Sequence, residues 1–298
     1  MNHHEIIRQQ LSRYFNVSSD AIHIGDRLRG GMSNSNYIVT INDQVYVFRI
    51  PGKNASTFVS RKIEQATIDL IAPTGIDGHL TLNLDLETGY KISRYVAGTP
   101  LFLLHPDAYY PQASACLHQL HDAGLVHPKD YDPFGRLHTY EGFAEASGMV
   151  HGEGYPEIKA SFLSHQAFLL GVEKVMCHND AQPSNFIWTE AEKLWLVDWE
   201  FGGMNDPLYD VACFGNNDFS YAKGLLPVYL GRKPKSSEWM RLFLWRVFQC
   251  LQWHNVALYK EAIGLSQELN LDFKHIADQY IAKAHSLYRE AISLGYGT

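Results

Sequence analysis

Residues 177–188 read CHNDAQPSNFIW and residues 194–214 read LWLVDWEFGGMNDPLYDVACF; the architecture of the chain follows from these two segments. They contain three side chains whose oxygen atoms can act as ligands, and these side chains follow a fixed order. Asp180 precedes Asn185 by five residues, and Asp198 follows after an apolar, strand-like run. Any one of these residues alone is ordinary, because Asp and Asn often cap helices and form turns. Their joint order is much more specific than any single member.

The order of these three residues resembles the catalytic loop and the metal-binding strand of kinase-like phosphotransferases. That chemistry needs a carboxylate to accept the proton of the attacking hydroxyl. It also needs a neutral amide and a second carboxylate to hold Mg²⁺ on nucleotide phosphates. We therefore expect Asp180 to be the catalytic base, and Asn185 and Asp198 to be the metal ligands. His178 is interpreted as structural, because a metal site built on it would need further histidines at short spacing.

A second motif, GGMSNSNY at residues 30–37, lies between two strand-like segments. Its glycines allow a tight turn and let backbone N–H groups approach phosphate oxygens closely. By itself this pattern is typical of a hairpin turn. As a phosphate-binding turn it would supply the nucleotide-site candidates Gly31, Ser33, Asn34 and Asn36.

The strand that follows, VYVFRI at residues 45–50, makes this motif more specific. It places Arg49 where a protein kinase carries its phosphate-binding lysine, and a helix that contains Glu64 comes next. On this interpretation Arg49 contacts phosphates and pairs with Glu64, because arginine keeps its charge and offers a fork of donors. The alternative is an exposed strand arginine and a glutamate on a solvated helix face.

The pattern along the chain changes near residue 95, from strand-rich to helix-rich. We predict a first helix ending near Asn16, three antiparallel strands between residues 22 and 52, a helix at 56–71, and strands at 79–84 and 90–95. The turn-rich segment at 96–101 is interpreted as a hinge. Apolar spacing then predicts helices at 112–123, 141–146, 157–170, 239–263 and 273–294. The chain is therefore expected to be α+β, with a small N-terminal lobe at 1–95 and a larger, mainly helical lobe at 96–298.

Composition limits the classes of function. With 298 residues, 46% of them hydrophobic, the chain can bury a sizeable core, which excludes a disordered protein. The net charge of −7 and the lack of Lys or Arg runs argue against nucleic-acid and anionic-membrane partners. Four widely spaced cysteines indicate reduced, mostly buried thiols. The amphipathic start, MNHHEIIRQQLSRYF, predicts no membrane insertion and a cytoplasmic location.

Taken together, these motifs make the chain similar to the choline/ethanolamine kinases, of the kinase-like superfamily that also holds aminoglycoside phosphotransferases. The match covers nearly the whole chain, and VDWEFGGMNDPLYDVA at residues 197–212 resembles bacterial choline kinases most closely. The resemblance implies a two-lobed, protein-kinase-like fold. It also implies ATP and Mg²⁺ as cofactors and transfer of the γ-phosphate to a small amino alcohol, with choline or ethanolamine as the first expectation.

The same resemblance implies roles for further residues. Gln182 would help to hold the nucleotide phosphates, and Glu200 would support the metal site or the loop. Tyr95 and Val96 would lie at the adenine-binding hinge.

The acceptor pocket of the family encloses a trimethylammonium group with aromatic rings and an acidic side chain. Trp253 matches one pocket tryptophan, but Val256 stands where the family has a second aromatic residue. Asn217 stands where an acidic residue is expected, with Asp218 next to it. The acceptor-side candidates are Glu200, Tyr209, Asp218 and Trp253. Aromatic residues at helical spacing are equally typical of a packed core.

Two alternatives stay open at this point. The same kinase chemistry could act on thiamine, an aminoglycoside or another small alcohol, which the departures at Asn217 and Val256 favour. A nucleotide-binding pseudoenzyme would instead be expected to have lost a base or a metal ligand, and Asp180, Asn185 and Asp198 are all present. The sequence leaves the oligomeric state open.

Overall fold

The computed structural model describes residues 2–28, 34–76 and 80–295. The chain forms two compact units, each containing two segments of the sequence. The N-terminal unit is Met1–Leu104 with Ser184–Phe201, and the C-terminal unit is His105–Pro183 with Gly202–Thr298. Residues 184–201 group with the N-terminal unit because their strands pair with residues 99–100. This grouping differs from the lobes expected at 1–95 and 96–298, which stay a prediction.

The described residues form helices and strands in the following order. Up to residue 104 they are α1 (His3–Phe15), β1 (Ile22–Arg27), β2 (Asn34–Ile41), β3 (Gln44–Pro51), α2 (Arg61–Ile71), β4 (Thr81–Leu84), β5 (Lys91–Arg94) and β6 (Thr99–Pro100). After it they are α3 (Tyr110–His121), α4 (Pro133–Ala146), α5 (Tyr155–Leu163), α6 (Gln166–Leu170), β7 (Val175–Cys177), β8 (Phe186–Trp188), β9 (Leu194–Leu196), β10 (Gly203–Asn205), α7 (Pro207–Cys213), α8 (Phe219–Leu230), α9 (Ser236–Ala262), α10 (Leu265–Leu269) and α11 (Phe273–Gly295).

The N-terminal unit is built on a five-stranded antiparallel sheet in the order β1-β2-β3-β5-β4. β2 and β3 form a hairpin whose two turn residues, Asn42 and Asp43, have φ values of 50° and 63°. Asn and Asp tolerate this left-handed conformation, which matches the twist of a two-residue hairpin. Helix α1 covers the sheet with Ile7 and Leu11, which are fully buried. The central strand of this sheet is β3, which carries Arg49.

A second, three-stranded sheet of the same unit has the order β6-β8-β9. In the β8–β9 hairpin, Phe186 lies opposite Leu196, and the N–H of Val197 donates to the carbonyl oxygen of Asn185 at 2.9 Å. The hairpin therefore holds the residue before β8 beside the segment after β9. Asn185 and Asp198 are thirteen positions apart in sequence, but both lie at the same end of this hairpin.

The C-terminal unit is organised around α9, a helix of 27 residues that packs against α11, α4 and α7. Most of its side chains are buried, as expected for a helix that is covered on nearly all sides. One core cluster joins α9 to its neighbours and contains Ala144, Ala257, Leu258, Leu265, Phe273 and Ala277. β7 and β10 form a separate two-stranded antiparallel ladder. β7 directly precedes the loop that contains Asp180.

Several predicted elements are confirmed and others need correction. The first helix, the three strands of 22–52 and both long C-terminal helices lie close to their predicted bounds. The helix predicted at 56–71 begins only at Arg61, because Asn54 is left-handed and residues 55–57 form a 3₁₀ turn. The helix predicted at 157–170 is two helices, α5 and α6, separated at residues 164–165. Helices α7 and α8 were not predicted.

All four cysteines are buried and free, which confirms the predicted thiols. Among the described residues, no helix combines the length and the apolar character needed to cross a membrane.

Candidate active site

The loop that contains Asp180 is fixed through its backbone by a buried carboxylate. Asp210, on α7, accepts the N–H of His178 at 2.8 Å and the N–H of Asn179 at 2.7 Å. Its carboxylate is fully buried and also accepts from His121 Nε2 at 3.0 Å. The other ring nitrogen of His121 lies 2.8 Å from the Tyr229 hydroxyl. A chain of hydrogen bonds from α8 through α3 and α7 therefore sets the position of the loop.

The residue before Asp180 adopts a left-handed backbone conformation. Asn179 has φ 63°, and its side-chain amide donates to the carbonyl oxygens of Cys177 at 3.2 Å and Gly203 at 3.1 Å. Its amide oxygen accepts from Asn205 Nδ2 at 2.8 Å. A non-glycine residue is held in this conformation when its surroundings determine it, and such residues cluster at functional sites. The side chain of Asn179 thus ties the loop to the β7–β10 ladder.

Asp180 itself is half-buried and lies in local contacts within the loop. Its N–H donates to His178 Nδ1 at 3.2 Å, and its Oδ2 accepts from Gln182 Nε2 at 3.1 Å. His178 is fully buried and takes part in this backbone framework. Gln182 touches the predicted base, and its predicted role with nucleotide phosphates stays a prediction.

In the N-terminal unit, Arg49 and Glu64 form a buried, two-pronged ion pair. Arg49 Nη1 and Nη2 donate to the two carboxylate oxygens of Glu64 at 2.8 and 2.7 Å. Arg49 is 4% exposed and Glu64 0%, so the alternative of an exposed arginine and a surface glutamate is wrong. The fork geometry matches the preferred bidentate contact between a guanidinium and a carboxylate.

Three more side chains of the N-terminal unit join this pair. Lys91 Nζ, on β5, donates to Glu64 Oε1 at 2.9 Å. Glu200 Oε2 lies 3.4 Å from Arg49 Nη1 and accepts from Asn34 Nδ2 at 3.2 Å. Asp198 Oδ1 lies 3.7 Å from both Arg49 Nη1 and Lys91 Nζ. We call the set Arg49, Glu64, Lys91, Asp198 and Glu200 the ionic cluster.

The ionic cluster shifts the protonation of its members. Burial alone would lower the pKa of Arg49, but the negative charge of Glu64 and its hydrogen bonds outweigh burial and raise it. Burial alone would raise the pKa of Glu64, but the charges of Lys91 and Arg49 lower it to about 2. Burial and the nearby Asp198 carboxylate raise the pKa of Glu200 to about 8, with Arg49 acting in the opposite direction.

Asn185 and Asp198 carry the donor atoms that Mg²⁺ prefers, an amide oxygen and a carboxylate. Asn185 is 9% exposed, whereas the Asp198 side chain is 35% exposed and its backbone has φ 70°. The left-handed conformation at Asp198 is a second case of unusual backbone geometry at a predicted functional residue. The donor set and its place at the end of one hairpin fit a magnesium site.

The remaining nucleotide-site candidates are placed as follows. Gly31 and Ser33 lie outside the described residues. Asn36 lies opposite Arg49 in the β2–β3 register. Tyr95 and Val96 are half-buried and connect β5 to β6, and the Tyr95 N–H donates to the carbonyl oxygen of Val45 at 3.1 Å.

The acceptor-side candidates are dispersed. Tyr209 is 1% exposed, and its hydroxyl lies 3.0 Å from that of Tyr131 in a packed aromatic core. Asp218 is exposed and caps α8 by accepting the N–H of Ser220 at 2.9 Å. Trp253 is half-buried, and Val256 is 5% exposed. Glu200 belongs to the ionic cluster instead.

A buried arginine lies beside the segment where an acidic residue was expected. Arg246 is 1% exposed, and its Nη atoms donate to Asn216 Oδ1 at 2.9 Å, to the Asn216 carbonyl oxygen at 2.7 Å and to Gln249 Oε1 at 2.9 Å. In the part of the chain that the structure describes, no carboxylate lies within 4.0 Å of this guanidinium. Gln249 in turn donates to Cys213 Sγ at 3.1 Å.

Sequence reasoning missed Lys91, His121 and Asp210. For Lys91 the sequence offered only its place at the start of the short strand KISR, where it is buried next to Ile92. A signal existed for Asp210, a single carboxylate in the otherwise apolar run LYDVACF. Buried carboxylates are rare without a structural or chemical partner.

Comparison with known proteins identifies the family of the chain. The profile of the Phosphotransferase enzyme family (APH) matches residues 25–239. Protein LicA from Haemophilus influenzae is 26% identical over 188 residues, a match that covers 61% of this chain and 55% of that relative. The match thus spans little more than half the length of that relative.

Solved structures share the fold. The choline kinase LicA from Streptococcus pneumoniae is 23% identical with a TM-score of 0.78, over 96% of this chain and 98% of that chain. A choline/ethanolamine kinase family protein from Mesorhizobium loti is 24% identical with a TM-score of 0.78, over 97% and 98%. This likeness confirms the predicted α+β, protein-kinase-like fold. Since the family profile matches well over half of its length, the chain belongs to the Phosphotransferase enzyme family.

Proposed function

We propose that the protein transfers the γ-phosphate of ATP to the hydroxyl of a small alcohol in the presence of Mg²⁺. The observation that carries this proposal is the ionic cluster, in which the buried Arg49–Glu64 pair borders the partly exposed Asp198. Burying several charges is costly and adds little stability compared with a packed apolar core. A cluster of this kind is therefore better explained by a charged ligand, and a metal–triphosphate complex has the required charge.

The two units hold residues with different proposed tasks. In the C-terminal unit, Asp180 accepts the proton of the acceptor hydroxyl, and Asp210 holds its loop through two backbone N–H groups. In the N-terminal unit, Asn185 and Asp198 hold Mg²⁺, and the cations of the ionic cluster neutralise phosphate charge. The bound metal ion supplies further charge neutralisation on the phosphates.

The first acceptors to consider are choline and ethanolamine. The names of the similar proteins support them, since one is a choline kinase and another a choline/ethanolamine kinase family protein. The half-buried Trp253 also supports them, because a tryptophan face attracts a quaternary ammonium group.

The second candidate is the same reaction on thiamine, an aminoglycoside or another small alcohol. Two observations favour it. Asp218, the acidic residue beside Asn217, is committed to capping α8. Arg246 is a buried cation bound to Asn216, and a positive charge in this segment disfavours every cationic acceptor, thiamine and aminoglycosides as well as choline, so it favours an uncharged alcohol.

The test is ADP release by the purified protein with Mg²⁺ and ATP, measured with choline, ethanolamine, thiamine, an aminoglycoside and no acceptor. Saturable turnover with choline or ethanolamine supports the first acceptors. Turnover with another acceptor keeps the kinase chemistry and reassigns the substrate. Tight Mg²⁺–ATP binding without turnover on any acceptor contradicts the proposed reaction and favours a pseudoenzyme.

A further inference from the structure

Lys91 lies directly opposite Arg49 in the sheet. The β3–β5 register pairs Arg49 with Lys91, and residues opposite each other in an antiparallel pair project from the same face. Both side chains are buried, with Lys91 9% exposed. Two cations are therefore held side by side on the two strands, and both reach Glu64.

The two cations differ in how many of their donors are used. Both Nη atoms of Arg49 are engaged by Glu64, and its buried Nε finds no acceptor among the described residues. The ammonium of Lys91 has three N–H donors. The described residues offer it one acceptor at hydrogen-bond distance, Glu64 Oε1 at 2.9 Å.

Both cations are equally close to the predicted metal ligand. Asp198 Oδ1 lies 3.7 Å from Arg49 Nη1 and 3.7 Å from Lys91 Nζ. The position that makes Arg49 a candidate for phosphate binding therefore applies equally to Lys91. An arginine fork suits a single carboxylate, whereas an ammonium is a point charge with rotatable donors that can serve several phosphate oxygens.

We propose that Lys91 is a triphosphate-binding residue, and that Arg49 serves mainly to hold Glu64. A protein kinase combines these two tasks in one lysine of its third strand. Here they are divided between β3 and β5. The inference rests on the proposed function, since it requires ATP as the ligand.

The test compares the affinities for AMP, ADP and ATP, with Mg²⁺, by calorimetry on Lys91→Met, Lys91→Arg and the wild type. Lys91→Met is expected to weaken ATP and ADP binding by about tenfold or more, the loss of one charge-assisted contact, while AMP binding stays within about twofold. Lys91→Arg keeps the charge and is expected to retain most of the ATP affinity. Lys62→Met, on the exposed side of α2, is the matched control and should change none of them.

Two outcomes would overturn the inference. Equal weakening of AMP, ADP and ATP would assign Lys91 a purely structural role, and unchanged ATP and ADP binding would exclude phosphate contact. Retained AMP binding by Lys91→Met demonstrates that the variant is folded. If the wild type binds none of the three nucleotides, the proposed function fails and the inference fails with it, which differs from failure of Lys91 alone.

Discussion

The two units hold their functional carboxylates in opposite ways. In the N-terminal unit, Asp198 faces two cations at 3.7 Å, a separation at which charges attract without a directional hydrogen bond. In the C-terminal unit, Asp210 fixes the backbone before Asp180 with hydrogen bonds of 2.7 and 2.8 Å. On the proposed function, the carboxylate that would bind a metal ion is thus held by contacts that the ion can replace. The carboxylate that would accept a proton stands on a loop whose backbone is fixed by hydrogen bonds.

This difference implies different responses to substitution. Changes in the ionic cluster alter ligand affinity and the stability of the N-terminal unit, because buried charges lose their partners. On the proposed function, changes around Asp180 are expected to alter the rate of phosphoryl transfer while nucleotide affinity stays the same. Substitutions of Asp180, Glu64 and Asp210 separate these responses.

The largest effect is expected for Asp180→Asn. The substitution removes the proton acceptor, and loss of a general base lowers kcat by about a thousandfold. Affinity for Mg²⁺–ATP should change little, because the ionic cluster is intact. Measurement of kcat together with calorimetric ATP binding checks this. Asp107→Asn, an exposed aspartate of the same unit, is the control. Normal turnover by Asp180→Asn would show that another group takes the proton.

The next effect concerns Glu64→Gln. Removal of this fully buried charge leaves Arg49 and Lys91 without their shared partner, at a cost of about 3–5 kcal/mol in the free energy of unfolding. Urea unfolding measures it, with the exposed Glu87→Gln as control. A loss below that of the control would mean that the pair adds nothing to the folded state.

The same residue gives a pH dependence. The pKa of Glu64 is lowered to about 2 from its ordinary 4.5, so the folded state favours the charged form. This stabilisation is fully present above about pH 4.5 and is lost as the pH falls toward about 2. Glu64→Gln should therefore unfold with a flatter pH profile across this window than the wild type. Parallel profiles would contradict the assignment.

A smaller effect is expected for Asp210→Asn. One carboxylate oxygen becomes an NH₂ group that faces a backbone N–H, which costs about 1–3 kcal/mol. We expect kcat to fall by about tenfold to a hundredfold, with ATP affinity unchanged, because the loop before Asp180 moves. Steady-state kinetics and calorimetry separate the two quantities, and Asp122→Asn, 72% exposed, is the control. A fall in ATP affinity equal to that in kcat would count against a role limited to the loop.

The sequence pointed to candidate site residues more readily than to the residues that support them. Asp180, Asn185 and Asp198 stand in one local stretch, and Arg49 with Glu64 lies in a strand and the helix after it, so spacing alone makes them candidates. The structure confirms the Arg49–Glu64 pair, and the roles of the other three stay predictions. Lys91, His121 and Asp210 act through contacts between elements distant in sequence. Such contacts depend on strand register and helix packing, which periodicity does not specify.

The same limit explains which elements of the fold the sequence predicted and which it did not. Long periodic segments such as α9 and α11 were predicted within a few residues, because burial repeats over many turns. Helix α7 has only seven residues, all but one of them buried, and its apolar run carries no clear period. The acceptor-side residues are the hardest to predict from sequence. Tyr209 and Trp253 are both aromatic, but they differ in burial.

The smallest effect concerns acid sensitivity of the C-terminal unit through His254. Its Nδ1–H donates to the Ala277 carbonyl oxygen at 3.0 Å, and its Nε2 lies 3.3 Å from His151 Nδ1. Burial, together with the nearby His151, lowers the pKa of His254 from 6.5 to about 4, although Asp278 acts in the opposite direction. Between about pH 6.5 and 4, His254 is therefore protonated in the unfolded chain but not in the folded chain.

The free energy of unfolding should therefore fall as the pH is lowered through that window, by at most about 1.4 kcal/mol per pH unit for one proton. Below the window it should level off. His254→Gln should reduce this slope while leaving the Glu64 slope at lower pH. Part of the slope remains because burial also lowers the pKa values of His151 and His165. The exposed His275→Gln on α11 is the control and should keep both slopes. Urea unfolding at a series of pH values checks the result. A wild-type profile that is flat from pH 6.5 to 4 would mean that His254 charges in the folded state, so that acid would act first on the ionic cluster.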